Sequence, residues 1–295
     1  MTLRPATARR LWHLFEPIHA LVYFAREKRA RYEAAGLKGG WMAYFASRSA
    51  AMGAVSSEVV VAAFYNFQPD MVRGAIPDAW SYSSPQAVLE ARLDIVDAAL
   101  RRMLGDEIGS AEVQRAGDLL RTVVETCRPE GRPLFAAHSA VPWPAEPHLV
   151  LWNASTLLRE FRGDGHVAAL LTHRLDGCEA NVLITGAGMM PSETQRSFRG
   201  WSEQEWQTAM ARLRERGILD ESGALTPGGR DLRARIEDLT DVLALPSFEN
   251  LTEAELVELE DALERIEELL SSAGAVEYPN PMGLPRPGTP ATARS

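Results

Sequence analysis

Apolar residues recur at helical spacing along almost the whole chain. In 6–35, Leu11, Leu14, Phe15, Ile18, Val22 and Ala25 share one face. Pro17 sits inside that segment and predicts a kink or a break near Glu16. The same period predicts helices over 41–50, 57–64, 85–104 and 110–127, and again over 149–161, 165–175, 202–216, 227–245 and 252–271. Between the two series, 128–148 reads RPEGRPLFAAHSAVPWPAEPH, proline-rich and without a period, as expected of an irregular connection. From Glu277 onward, EYPNPMGLPRPGTPATARS has little to bury and is expected to be disordered.

The two helical series echo each other. GWMAYFASR from Gly40 lies over GHVAALLTH from Gly165, and LEARLDIVDAAL from Leu89 over LRARIEDLTDVL from Leu232. Between them SSEVVVAAF from Ser56 can be set against WSEQEWQTAM from Trp201. Three blocks in one order predict an internal repeat. The expected organisation is a helical unit at 1–127, the connection at 128–148, a second unit at 149–276 and the tail at 277–295.

The second unit ends in WSEQEWQTAMARLRERGILDESGALTPGGRDLRARIE. Gly217 suits the residue after a helix C-terminus, Gly223 the tip of a tight hairpin, and Thr226 the cap of a helix whose first residue is Pro227. This resembles the winged-helix unit of the multiple-antibiotic-resistance regulator (MarR) family, in which the wing runs into an LTxxG helix start and on into a dimerisation helix. FEPIHALVYFAREKRARYEAAGLKGGWMAYFASRSA, LLREFRGDGHVAALL and the wing together resemble a family of actinobacterial helix-turn-helix proteins of poorly defined function, over most of the chain. The fold class implied is mainly α, two winged-helix-like units with small β-wings fused as a pseudo-dimer. Such a chain is expected to be a monomer.

Charge qualifies what the resemblance implies. The formal net charge is −9, which gives no global attraction to phosphate backbones, so DNA stays open as a partner but is not favoured. The helix expected to read DNA opens Ser202-Glu203-Gln204-Glu205, with two carboxylates at the end that would enter a groove. Arg212, Arg214 and Arg216 follow and are the candidate phosphate contacts. The first-half counterpart, 57–64, carries no basic residue. Cys127 and Cys178 are too few for a disulfide framework, no leader or membrane-spanning run is evident, and the expected compartment is the cytoplasm.

Candidate chemistry concentrates in polar-tipped aromatics. His19 and Tyr23 are four apart on one helical face, and Trp41, Tyr44, Arg48, Tyr65 and Asn66 follow. A cleft between the halves lined by these would suit a small hydrophobic or aromatic molecule. In the second half Arg162 and His166, from RGDGH, are the polar candidates. Gly163 reads as a helix end and Asp164 as the cap of the next helix, which leaves only Arg162 and His166 without a structural task. The six histidines show no metal-binding spacing, so no metal site is expected. A single axial histidine to haem needs no motif, and His19 is the residue the sequence offers for it. The reading is a MarR-like ligand-binding protein with weakened DNA reading; the alternative is an enzyme or haem-type protein using the same cleft.

Overall fold

The computed structural model describes residues 4–277 and 280, and the expected tail lies almost wholly outside the described residues. Fifteen α-helices follow one another: α1 (Pro5–Phe24), α2 (Lys28–Ala34), α3 (Gly40–Ser49), α4 (Ser57–Phe64), α5 (Pro69–Arg73), α6 (Ala79–Tyr82), α7 (Pro85–Leu104), α8 (Ala111–Val124), α9 (Pro133–Ser139), α10 (Pro147–Thr172), α11 (Gly177–Gly186), α12 (Ser192–Arg199), α13 (Glu203–Glu215), α14 (Pro227–Ala244) and α15 (Glu253–Ser272). Among the described residues, β-pairing is confined to one antiparallel bridge between Leu219 and Leu225.

Local chemistry sets most of these boundaries. Ser84, Ser110 and Thr226 each accept the backbone N–H three residues on, and Pro85 and Pro227 open their helices. Asp176 with Glu179, Ser202 with Glu205 and Thr252 with Glu255 form capping boxes on α11, α13 and α15. Gly217 and Gly223, at φ 69° and 89°, take the left-handed conformations that end α13 and turn the hairpin.

Three expectations are corrected. Pro17 does not break α1, which runs unbroken to Phe24. The connection 128–148 contains α9. Pro147–Thr172 form one helix, α10, where two, 149–161 and 165–175, were expected, because Asp164 caps a different helix. Its Oδ2 accepts the N–H of Phe135, at the third residue of α9, at 2.9 Å. Gly165 lets a neighbour approach: a Cβ there would lie 2.8 Å from Arg132 Nη1. The helices α11 and α12 had no counterpart in the expected pattern.

Two apolar cores result. The larger unites α1 to α9 with the first part of α10, the end of α14 and α15. The smaller gathers Ala169, Leu170, Cys178, Leu183, Trp206, Leu213, Leu219, Leu225 and Ile236, from the end of α10, α11, α13, the hairpin and α14. In the larger body α1 packs on α7, α10, α14 and α15, while α10 packs on α1, α7, α8 and α14, and α8 meets α15. The repeat register read from the sequence does not survive burial: it sets Arg92, buried, over Arg235, exposed, and half-buried Leu89 over buried Leu232.

Candidate functional site

The smaller core is a helix-turn-helix head. Trp206, Ala209 and Leu213 turn one face of α13 onto α11, which leaves Glu203, Gln204, Gln207, Thr208 and Ala211 exposed. The three arginines expected to meet phosphate are engaged by other groups of the same chain, at its surface. Arg212 Nε lies 2.8 Å from Glu179, and Arg212 also pairs with Asp176. Arg216 donates to the carbonyls of His173 and Arg174, both at 3.0 Å. Arg214 donates to those of Asp220 and Glu221 at 3.2 and 3.3 Å, fastening α13 to the hairpin. Glu205 is bound to its own cap and accepts from Gln68 of the first half at 3.3 Å. A cavity of about 260 Å³ beside α13 is lined by Asp176, Trp201, Gln204, Glu205, Thr208 and Arg212.

The second feature is a cluster of ionisable groups buried in the larger core. Trp41, Tyr44 and Arg48 share one face of α3 at helical spacing. Arg48 donates to the Tyr44 hydroxyl at 3.1 Å and to Glu160 of α10 at 3.1 and 3.3 Å. Arg159 holds the same carboxylate at 2.7 Å and Glu16 at 3.5 Å. On α1, His19 is fully buried; its Nδ1 lies 2.9 Å from Thr156 Oγ1 and its Nε2 3.1 Å from the Tyr23 hydroxyl. Both ring nitrogens are thereby hydrogen-bonded, so an axial bond to haem iron would have to displace Thr156 or Tyr23. His138 of α9 hydrogen bonds the Arg48 carbonyl at 3.3 Å. Among the described residues, no group of three or more His, Cys, Asp and Glu residues gathers as metal ligands would.

Electrostatics follow from burial against the arginines. Burial lowers His19 well below its ordinary range and His138 to about 4, with nearby guanidinium groups adding to the effect, so both rings are neutral at pH 7. Burial pushes Glu160 up, but Arg159 and Arg48 outweigh it and hold the carboxyl below its usual value. Tyr23 is raised to about 12 by burial. Burial also raises Tyr44, yet Arg48, Arg199 and Arg159 outweigh it, and the phenol ends below its ordinary value.

The nine residues expected to line one cleft fall in three places. His19, Tyr23, Trp41, Tyr44 and Arg48 do come together, with Tyr23 and Tyr44 ring centres 5.4 Å apart and those of Tyr44 and Trp41 5.7 Å apart. Tyr65 and Asn66 instead join the first half to the head. The Tyr65 hydroxyl donates to the Leu175 carbonyl, and the Asn66 carbonyl accepts from Asn181 at 2.8 Å and Trp201 at 3.0 Å. Arg162 and His166 face α14: Arg162 meets Asp241 at 2.7 Å beneath the Trp12 ring, and His166 meets Thr240 at 2.9 Å. RGDGH is therefore a packing node in mid-helix.

Sequence reasoning missed Glu16, Arg92, His138, Arg159 and Glu160. For Arg92 a signal existed: it is four residues after Val88 and three before Ile95, on the buried face of α7. A second link was hidden because α12 was not foreseen. Arg199, at the end of α12, reaches from the head into the cluster, with its guanidinium 4.5 Å from the Phe67 ring centre and hydrogen-bonded to Tyr44.

A mainly helical body carrying a three-helix head and a short hairpin defines the helix-turn-helix class. The chain belongs to the helix-turn-helix family whose model matches residues 8–277. No curated protein and no solved structure matches it. No helix among the described residues is long and apolar enough to cross a membrane.

Proposed function

We propose that the protein is a single-chain, MarR-like regulator: two winged-helix-related halves fused as a pseudo-dimer, one working reading head, and a polar cluster between the halves that takes a small aromatic molecule and sets the position of the head. Exchange of α1 with α10, α7 with α14 and α8 with α15 carries the contacts of α1 with α7, α14 and α15 onto those of α10 with α14, α7 and α8, as a pseudo-two-fold axis would, although the α7–α15 contact has no image. Ion pairs support the same relation, for Arg9 of α1 reaches Asp238 of α14 at 3.2 Å while His148 of α10 reaches Asp97 of α7 at 2.7 Å. Counted back from the exchanged pair α7 and α14, three helices (α11 to α13) follow α10 and five (α2 to α6) follow its counterpart α1, of which the last three are matched. By that order the counterpart of α13 is α6, a single turn, and the counterpart of α4 is α11, in place of the pairing read from the sequence. The first head has lost its reading helix, and the fused chain needs no second copy.

The observation that carries the reading is Arg199. It sits on the head's second helix and bonds Tyr44 inside the cluster, so whatever orders Tyr44 and Arg48 bears directly on α12 and on the α13 that follows it. Gln204, Gln207 and Thr208 offer amide and hydroxyl groups to base edges.

Selection from a randomised duplex pool at low salt tests the DNA side. One working head should enrich a single, non-palindromic half-site, and Gln204→Ala with Gln207→Ala should abolish the enrichment without changing Tm. Absence of any enriched sequence overturns the reading.

A further inference from the structure

Arg92 is 1 % exposed and has no carboxylate partner among the described residues. Its Nη1 donates to the Ser47 carbonyl at 2.9 Å, and the guanidinium lies 5.1 Å from the Trp152 ring centre. Nε and Nη2 are both buried and have no acceptor. These two donors are neighbours on the same edge of the guanidinium plane, the edge that grips two oxygens of one carboxylate or phosphate in parallel. Arg48 Nε is also buried without an acceptor.

Charge in the surrounding cluster is unbalanced in the same sense. Arg48 and Arg159 share Glu160, and Arg159 also meets Glu16, so the two carboxylates are taken by two guanidinium groups. Arg92 is a third cation, and Arg199 reaches the same cluster from α12. His19 and His138, close enough to feel it, are neutral, and so is Tyr23. Tyr44 answers to Arg48, Arg199 and Arg159. An arginine does not escape a buried site by losing its proton, as lysine and histidine do. An uncompensated interior cation costs several kcal/mol, so a third negative charge has a strong driving force to enter.

We propose that the cluster is an oxyanion site, in which a small organic carboxylate or phosphate is held by the Nε and Nη2 edge of Arg92 between α3, α7 and α10. This rests on the cleft-ligand reading and narrows it from an aromatic molecule to an anionic one. The way in is taken to be the face of α3 that bears Tyr44 and Arg48, since its outer end carries Trp41, 41 % exposed and with its ring centre 6.3 Å from that of the equally exposed Phe198 of the head. An anion entering there would pass Tyr44 and Arg199, the link to α12.

The test uses the full chain, with benzoate and inorganic phosphate as probes, benzyl alcohol as the neutral partner of benzoate, and sodium chloride at matched ionic strength as reference. Benzoate or phosphate should raise Tm by several degrees in a saturable way, benzyl alcohol and chloride should not, and Arg92→Met should lose the response. Equal shifts with benzoate and chloride, or an undiminished response in Arg92→Met, overturn the proposal. Saturable binding of benzyl alcohol as tight as that of benzoate also overturns it while leaving the aromatic-ligand reading in place, whereas binding of neither probe defeats both. Should Arg92→Met fail to fold, the Nε–H resonance of Arg92 in the wild-type protein decides: it moves on titration with benzoate or phosphate if the site is real and stays still if not.

Discussion

Arg48 of α3 and Glu160 of α10 are paired at 3.1 Å with side chains 6 % and 0 % exposed, so the ion pair joining the two halves is shielded from water. Glu160 also carries Arg159, whereas Arg48 has no second carboxylate. Removal of the two partners should therefore be unequal. Glu160→Gln strands Arg48 and leaves Arg159 with Glu16 alone, and should destabilise by about 3–5 kcal/mol, the cost of breaking a buried pair. Arg48→Met leaves Glu160 with Arg159, removes one of the surplus cations and should cost clearly less. Urea unfolding of both variants checks this, and equal losses would mean that the pair acts in isolation from the cluster.

Asp164 supplies a pH signature. Burial raises its pKa to about 6 from 3.8, although the N–H groups of Phe135 and Leu134 pull the other way. Between those values the folded state holds a proton that the unfolded state has released, so Asp164's contribution is fully present below about pH 4 and is lost as pH rises through 6. Asp164→Asn keeps an oxygen for Phe135. It should match the wild type below pH 4 and exceed it at pH 7 by up to about 3 kcal/mol. His138, lowered to about 4 by burial, acts in the opposite sense and strengthens the fold as pH rises from 4 to 6.5. The informative quantity is thus the variant's difference from wild type, and a difference that does not change with pH would refute the assignment.

The joint between first half and head depends on Gly177. A Cβ there would stand 2.0 Å from the Tyr65 carbonyl oxygen, and Tyr65 itself is held at φ 46°, so the backbone has little room to yield. Gly177→Ala should push residues 65–68 off the head. Trp201, whose Nε1 donates to Asn66 at 3.0 Å, reports this directly. Its fluorescence should shift and the Asn66 region should exchange amide hydrogens faster. An unchanged Trp201 signal would show that the joint re-forms around the methyl group.

How much of this was legible beforehand differs by element. Helices α4 and α7 match the apolar period to the residue, because each buries one face, and Ser84 and Pro85 mark the start of α7. Asp164 misled because a cap signature does not say which helix it caps; the Phe135 N–H it binds belongs to a segment 29 residues away. Helix α12 was invisible: among its eight residues only Gln195 is buried, so there was no apolar stripe to read. In the cluster, His19 and Tyr23 followed from their spacing on α1, and Tyr44 and Arg48 stood beside them as polar candidates. Its charged part did not, since Glu160 and Arg159 look like surface residues until α1, α3 and α10 close over them.

The arginines and glutamines of α13 should separate stability from sequence reading. Arg212 is tied to Glu179 and Asp176 but its side chain is 43 % exposed, so Arg212→Ala should cost about 1 kcal/mol or less by loss of a partly screened pair. Its DNA affinity should fall only in step with that stability, with the slope of affinity against salt unchanged, because a guanidinium already held by two carboxylates releases no counterions from phosphate. Gln207 is exposed on the opposite face and bonds only Glu203 in its own helix, at 2.7 Å. Gln207→Ala should leave Tm alone and reduce discrimination at one base position by about 1–3 kcal/mol. Binding of both variants to the selected duplex and to a scrambled one, across a range of salt concentration, distinguishes these effects. A shallower salt slope for Arg212→Ala would mean that Arg212 leaves Glu179 for phosphate in the complex and that the acidic cradle is a latch on the head.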